Sequence, residues 1–65
     1  MKVEVRKCEK QFGVVDEKGD LLEEYNVGDN VLILSEFNTD TEYAVGIDFA
    51  SYVLIPKEHI SKEVI

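Results

Sequence analysis

Apolar and polar side chains alternate at the start of the chain. Met1, Val3 and Val5 are apolar, and the residues between them are charged. A repeat of two residues is the period of a β-strand that buries one face. The pattern therefore predicts a first strand over residues 1–8.

A second apolar cluster surrounds a turn. Residues 12–15 are mostly apolar, residues 16–20 read Asp-Glu-Lys-Gly-Asp, and two leucines follow. Lys-Gly-Asp is typical of a turn, because glycine adopts a positive φ at little cost and aspartate bonds to its own backbone. We predict a hairpin or a long, two-sided loop here.

The centre of the chain contains a run that is apolar at every position. Gly28 lies in a predicted turn, and the run Val-Leu-Ile-Leu follows it at residues 31–34. A strand without alternation is expected to bury both faces, as at the centre of a barrel or sandwich. A polar loop over 38–42 and a turn over 48–51 flank the next predicted strand, which covers residues 43–47.

The last part of the chain predicts one more strand, a single turn and a closing strand. Residues 52–55 are apolar, and Pro56 stops the strand because proline has no N–H to donate. Proline also suits the start of one 3₁₀ turn near residues 56–59. Ile60 and Val64 fit either a helix or a short strand, and we predict the strand, since it covers an open sheet edge.

Composition agrees with an all-β domain. The chain has 65 residues, and 45% of them are hydrophobic. A chain this short forms one domain, 1–65, with one small core. Fourteen of the apolar residues are valine or isoleucine, which favour strands over helices.

Only one cysteine, Cys8, is present. A single thiol excludes an intramolecular disulfide framework and a multi-cysteine metal site. No apolar stretch is long enough for a transmembrane helix. The expected location is the cytoplasm.

Charge is uneven along the chain. The formal net charge is −7, and residues 13–50 contain ten acids against one lysine. The electric field of these negative charges repels nucleic-acid backbones and anionic membranes, and it attracts basic proteins or peptides. Solubilisation alone also explains an acidic surface. A basic strip near the N-terminus opposes this trend, and it consists of Lys2, Arg6, Lys7 and Lys10.

The order of elements in residues 25–65 resembles an SH3-type small β-barrel. The segment Tyr-Asn-Val-Gly-Asp-Asn-Val-Leu-Ile-Leu at 25–34 is similar to that family's entry into its second strand. Residues 38–42 stand at its n-Src loop, residues 48–51 at its distal turn, and residues 52–60 at the 3₁₀ turn before its last strand. The resemblance implies a single SH3-like barrel of five to six strands. An OB-type barrel and a small meander sandwich are the alternatives.

Peptide-binding members of that family hold proline-rich ligands between aromatic side chains, and acids of the RT loop pair with a basic ligand residue. The resemblance places Pro56 at the groove proline, His59 at a groove tyrosine and Tyr43 at a groove tryptophan. The chain departs from the family in having no tryptophan and no N-terminal Ala-Leu-Tyr-Asp-Tyr segment. SH3-like barrels of bacteria and phages, which bind proteins or simply pack, are the closer expectation.

Enzymatic chemistry has few candidate residues. Cys8 and His59 are the only possible Cys–His pair, and we expect Cys8 to be a half-buried strand thiol. His59 is expected at the surface or as a cap, with a groove wall as the alternative. Two such ligands are too few for structural zinc, and the oxygen-rich residues 38–42 lack the glycine and the distant glutamate of an EF-hand. We predict no enzyme, no metal and no cofactor.

The sequence therefore predicts a non-catalytic protein-interaction module whose acidic face binds a basic protein or peptide. The predicted partner-binding residues are Asp16, Glu17, Asp20, Glu23, Glu24, Tyr43, Pro56 and His59. One alternative is a nucleic-acid-contact barrel that uses the basic strip. Another is an acidic mimic of nucleic acid of the phage type. Homodimerisation through an exposed edge strand is a further option.

Overall fold

Seven β-strands and two short 3₁₀ turns form the chain in a computed structural model that describes residues 2–48 and 51–65. The strands are β1 (Val3–Cys8), β2 (Phe12–Val15), β3 (Leu21–Tyr25), β4 (Asn30–Leu34), β5 (Glu42–Gly46), β6 (Tyr52–Pro56) and β7 (Ile60–Val64). The 3₁₀ turns are η1 (Ser35–Phe37) and η2 (Lys57–His59). The predicted all-β class is confirmed.

The strands are arranged in two antiparallel sheets. The larger sheet has the order β6-β5-β4-β1-β7, and β2 pairs with β3 in a separate two-stranded sheet. Strand β4 is therefore central in the larger sheet. The described residues form seven strands rather than the predicted five or six, since residues 12–25 pair as a hairpin, with a shift in register between Val14 and Val15. No closed barrel is found in the part of the chain that the structure describes.

Several predicted elements are confirmed near the positions that the sequence indicated. The first strand begins at Val3, and Met1 of the predicted range lies outside the described residues. The 3₁₀ turn predicted near residues 56–59 covers Lys57–His59, and the closing strand follows it directly at Ile60; the other 3₁₀ turn, Ser35–Phe37, was not predicted. The predicted turn 48–51 contains residues 49 and 50, which also lie outside the described residues. Within it, the Asp48 carboxylate accepts hydrogen bonds from the N–H and the hydroxyl of Ser51.

The hydrophobic core lies between the β2–β3 hairpin and one face of the larger sheet. Its buried members are Cys8, Phe12, Val14, Val31, Ile33, Tyr43, Val45 and Ile60. Phe12 and Val14 come from the hairpin, and Ile33 and Val45 are cross-strand partners in the sheet. The hairpin therefore covers this face, which we call the core face.

Strand β4 buries one face completely and the other only in part, whereas its uninterrupted apolar run predicted two buried faces. Val31 and Ile33 are fully buried on the core face, and Leu34 is buried on the other side of the sheet. Leu32, however, is 43% exposed on the other side of the sheet. The prediction is wrong at Leu32 because the hairpin covers only one side of the sheet.

Two turns depend on glycine. Gly19, in the β2–β3 turn, has φ 87°, and Gly28, between β3 and β4, has φ 94°. Side chains other than glycine rarely adopt these angles. Aspartates complete both turns, since the Asp16 carboxylate accepts from the N–H groups of residues 18 and 20 and Asp29 accepts from the N–H of Asn26.

Removing one methyl group from the core tests this arrangement. Ile33→Val is expected to lower the free energy of unfolding by about 0.5–1.5 kcal/mol, because it leaves a small cavity in close packing. Leu22→Val, at an exposed position of β3, should change stability by less than about 0.5 kcal/mol. Urea denaturation followed by circular dichroism measures both. Equal losses in the two variants would contradict the assignment of the core face.

Candidate functional site

Asp16 holds the β2–β3 turn together. One oxygen of its carboxylate accepts hydrogen bonds from the backbone N–H groups of Lys18, at 2.8 Å, and of Asp20, at 2.9 Å. The Asp16 N–H in turn donates to the Asp20 carbonyl. Although Asp16 was predicted to bind a partner, its side chain is already used to fix the turn.

The other predicted acids of the hairpin are exposed to solvent. Glu17 and Asp20 lie in the turn, and Glu23 and Glu24 lie on β3. Glu24 accepts a hydrogen bond from Gln11 at 3.0 Å. Across residues 2–48 and 51–65, no acid of the hairpin forms an ion pair. Their charges are therefore directed at solvent rather than neutralised within the fold.

Exposed apolar side chains accompany these acids on the hairpin. Val15, Leu21 and Leu22 are each about half exposed. Leu21 lies opposite Val15 in the strand pairing, and its methyl group closes over Gly13, where an added Cβ would be 3.2 Å away. The hairpin therefore presents carboxylates and aliphatic groups together.

Tyr43 lies in the core and not on an open groove. Only 6% of Tyr43 is exposed. Its ring is covered by two cations, with the Arg6 Cζ 4.7 Å and the Lys57 Nζ 5.1 Å from the ring centroid. Cations at this distance are attracted to the negative face of an aromatic ring. Tyr43 therefore offers little area to a partner in this conformation.

The pairing of β5 with β6 separates Tyr43 from Pro56. Tyr43 is opposite Ile55, whereas Pro56 is opposite Glu42. Because neighbouring residues of a strand point to opposite faces, Tyr43 and Pro56 lie on different sides of the sheet. Glu42 is the cross-strand neighbour of Pro56, a pairing that the sequence analysis did not predict.

His59 fastens η2 to the start of β2. Its Nδ1–H donates to the Lys10 carbonyl at 3.1 Å, since a carbonyl oxygen can only accept. The imidazole edge meets the Phe12 ring with the two centroids 5.8 Å apart. The Nε2 atom is 3.8 Å from the Glu58 carboxylate, which also contacts Lys10. His59 is thus a partly buried packing residue beside the hairpin.

Cys8 is fully buried, and the prediction of a half-buried thiol is wrong. Only 1% of the residue is exposed, because Cys8 lies opposite Ile60 of β7 and faces the core. Its Sγ–H donates to the Lys10 carbonyl at 3.2 Å. Cys8 and His59 therefore bond to the same carbonyl rather than to each other. Burial raises the pKa of the Cys8 thiol, the backbone of Lys10 lowers this pKa, and the charge of Asp29 raises it further.

Most of the basic strip is engaged within the fold. Arg6 donates to the carbonyls of Ser61 and Lys62, and it contacts the Glu4 carboxylate at 3.2 Å. Lys7 donates to the Gly28 carbonyl. Lys10 pairs with Glu58 at 3.5 Å. The strip is therefore divided among separate internal contacts.

Residues 2–48 and 51–65 contain no metal-binding cluster and no membrane-spanning helix. No three histidine, cysteine or acidic side chains come together in a way that could hold a metal ion. Within the same ranges, no helix is both long enough and apolar enough to cross a membrane.

Among the predicted residues, the structure brings together the five acids on the β2–β3 hairpin, and His59 packs against the Phe12 ring of the same hairpin. Tyr43 and Pro56 are separated from each other by the sheet. Comparison of the chain with protein-family models, with curated proteins and with solved structures finds no match.

Alkaline solution is expected to destabilise the fold. Burial raises the pKa of the Tyr25 phenol as well, and the charges of Glu23 and Asp29 raise it further. A raised pKa means that the folded chain holds its proton more tightly than the unfolded chain does. The stability that follows is fully present below the ordinary thiol pKa of about 8.5, and it is lost as the pH rises through the raised pKa values of the folded chain. Urea denaturation between about pH 7 and pH 10.5 measures this loss.

Two variants test whether the Cys8 thiol and the Tyr25 phenol cause the loss of stability at alkaline pH. Cys8→Ala and Tyr25→Phe each remove one buried proton, so the free energy of unfolding should fall less steeply with pH in either variant. Tyr25→Phe keeps the ring that stacks on Phe12, with centroids 4.9 Å apart. An unchanged slope in both variants would exclude these two groups as the cause.

Proposed function

We propose that this protein is a non-catalytic interaction module whose β2–β3 hairpin binds a basic protein or peptide. The observation that carries the proposal is the exposure of the carboxylates of Glu17, Asp20 and Glu23 beside two exposed leucines, Leu21 and Leu22. We call residues 12–25 the acidic hairpin.

Charge provides the first part of recognition. The acidic hairpin contains five acids and one lysine, a net charge of −4. Unpaired surface charges of one sign steer an oppositely charged partner and raise its association rate, and salt weakens the effect. The partner's contact surface is therefore rich in lysine or arginine.

Apolar contact provides the second part. Exposed ion pairs alone are worth only about 0–1 kcal/mol each, so charge steers the partner more than it holds it. Val15, Leu21 and Leu22 supply the aliphatic surface that a partner buries. A basic segment with interspersed apolar residues matches both features. The lone cysteine and the acidic charge support a cytoplasmic setting for this binding.

We further propose that the architecture is of the SH3-like type, with the acidic hairpin in the place of the RT loop. Three features support it. The hairpin is inserted between β1 and β4, which are neighbours in the larger sheet. A polar loop precedes β5, and η2 stands directly before the last strand. Strand β1 pairs with both β4 and β7, which brings the two ends of the chain together.

A variant of the hairpin that lacks three of its negative charges tests the proposed function. In this variant Glu17 and Glu23 become glutamine and Asp20 becomes asparagine, while Asp16 is kept because it fixes the turn. A synthetic peptide of alternating lysines and leucines serves as the probe, and fluorescence anisotropy measures its affinity. At about 0.1 M ionic strength, where the Debye length is about 10 Å, loss of three charges is expected to weaken binding about tenfold.

The matched control removes the same number of charges elsewhere. Glu36, Asp40 and Glu63 are exposed and lie outside the acidic hairpin. Replacing them with the corresponding amides should leave the affinity within about twofold, because exposed charges beyond a Debye length are screened. Equal weakening in both triple variants would mean that the probe senses only the net charge, and it would overturn the proposal.

A further inference from the structure

The side of the larger sheet that faces away from the hairpin is also apolar. We call this side the outer face. The strand pairing places Val3 and Val5 opposite Leu34 and Leu32, and it places Leu54 opposite Ala44. These residues alternate with the core residues along each strand. The larger sheet is therefore apolar on both sides, whereas the hairpin covers only one.

Aromatic side chains enlarge the outer face at one end. Phe37 of η1 stacks on Tyr52 of β6, with ring centroids 4.7 Å apart and an interplanar angle of 9°. Gly46 lies opposite Tyr52, and a methyl group at Gly46 would touch Leu32 and Leu34 at 3.4 Å. Ala44 and Gly46, in the middle of this face, are buried, and the side chains of Leu32 and Leu34 lie against Gly46, so the exposed part of the face consists of the larger side chains around them.

The exposed area is large for a chain of this size. Five large side chains of the outer face, Val3, Leu32, Phe37, Tyr52 and Leu54, are each 39% to 51% exposed. Side chains of this size at these exposures leave on the order of 400 Å² of apolar surface, in the range of functional patches on monomers. The whole described surface is 4496 Å².

We infer that the outer face is the contact surface of a homodimer, in which a second copy of this chain covers it. A standard interface takes about 800 Å² from each partner, of which about 56–65% is apolar, or roughly 450–520 Å². Val5, which is partly exposed, and Pro56, which is exposed, lie on the same side of the sheet and add to this apolar area. One copy of the face therefore supplies what a stable dimer needs.

The charges at the margin of the outer face are self-complementary. Lys7 lies at one end of β1, opposite Asn30, and Glu42 lies at the other end of the sheet on β5, opposite Pro56. The two charges thus occupy diagonal corners. A two-fold axis between two such faces can bring Lys7 of each copy over Glu42 of the other, as an isologous interface requires, with the Lys7 Nζ exchanging its exposed contact with the Gly28 carbonyl for the Glu42 carboxylate.

The net charge of −7 does not oppose this contact. The acidic hairpin packs on the core face, so the two hairpins of the dimer point away from each other. The shortest dimension of one copy is 19 Å, which exceeds the Debye length of about 8 Å at physiological ionic strength. Repulsion between the hairpins is therefore screened.

Two leucine variants test the inference with one kind of substitution. Leu54→Glu places a charge in the outer face, and Leu21→Glu places the same charge on the exposed hairpin. Sedimentation velocity over a dilution series gives the dimer dissociation constant. We expect the parent protein and Leu21→Glu to be dimeric, and we expect Leu54→Glu to raise the dissociation constant by at least about 100-fold.

Charge reversal at the corners supplies a second measurement that does not depend on Leu54→Glu folding. Lys7→Glu alone and Glu42→Lys alone should each weaken the dimer, and the double variant should restore it. A parent protein that stays monomeric at every concentration assigns the outer face to a different occupant and overturns the inference. The inference is also overturned if Leu21→Glu and Leu54→Glu weaken the dimer equally. It is overturned too if the double variant of Lys7 and Glu42 weakens the dimer by the sum of the two single effects.

Discussion

The packing of the β2–β3 hairpin on one face of the larger sheet is the contact on which the rest of the structure depends. Phe12 is its centre, because its ring stacks on Tyr25 and meets the edge of His59. The hydrogen bond from His59 to the Lys10 carbonyl fixes η2 at the same place. One aromatic cluster thus joins the hairpin, the turn before β7 and the core, and the acids of the hairpin are left outside it.

The same packing explains why the outer face is exposed. A chain of 65 residues has a single hairpin available as a cover, and it is used on the side of Ile33 and Val45. A domain of about 60 residues buries only about 60% of the surface of its unfolded chain. Apolar side chains in excess of that core must stay in water or meet another protein. The outer face is where this excess collects.

The sequence predicted the elements better than it predicted the site. Alternation and turn residues are local, so β1, the hairpin and the strand after η2 could be located from the printed letters alone. The exposure of Leu32 could not, because a run that is apolar at every position does not indicate which face is covered. Cys8 is buried by pairing with Ile60, a contact that links distant parts of the chain. The separation of Tyr43 from Pro56 depends on a one-residue register that no spacing reveals.

The acidic hairpin and the outer face lie on opposite sides of the larger sheet, so the two proposed contacts are compatible. A dimer through the outer face carries one acidic hairpin at each end. Two equal sites on one particle bind a partner with repeated basic segments more tightly than one site does, since the second contact forms within the complex at a high effective concentration. The contact of a single hairpin with its partner is weak, because it consists mainly of a few exposed aliphatic groups and screened charges. Dimerisation would therefore convert a weak contact into a selective one, because only partners with two suitably spaced basic segments gain from it.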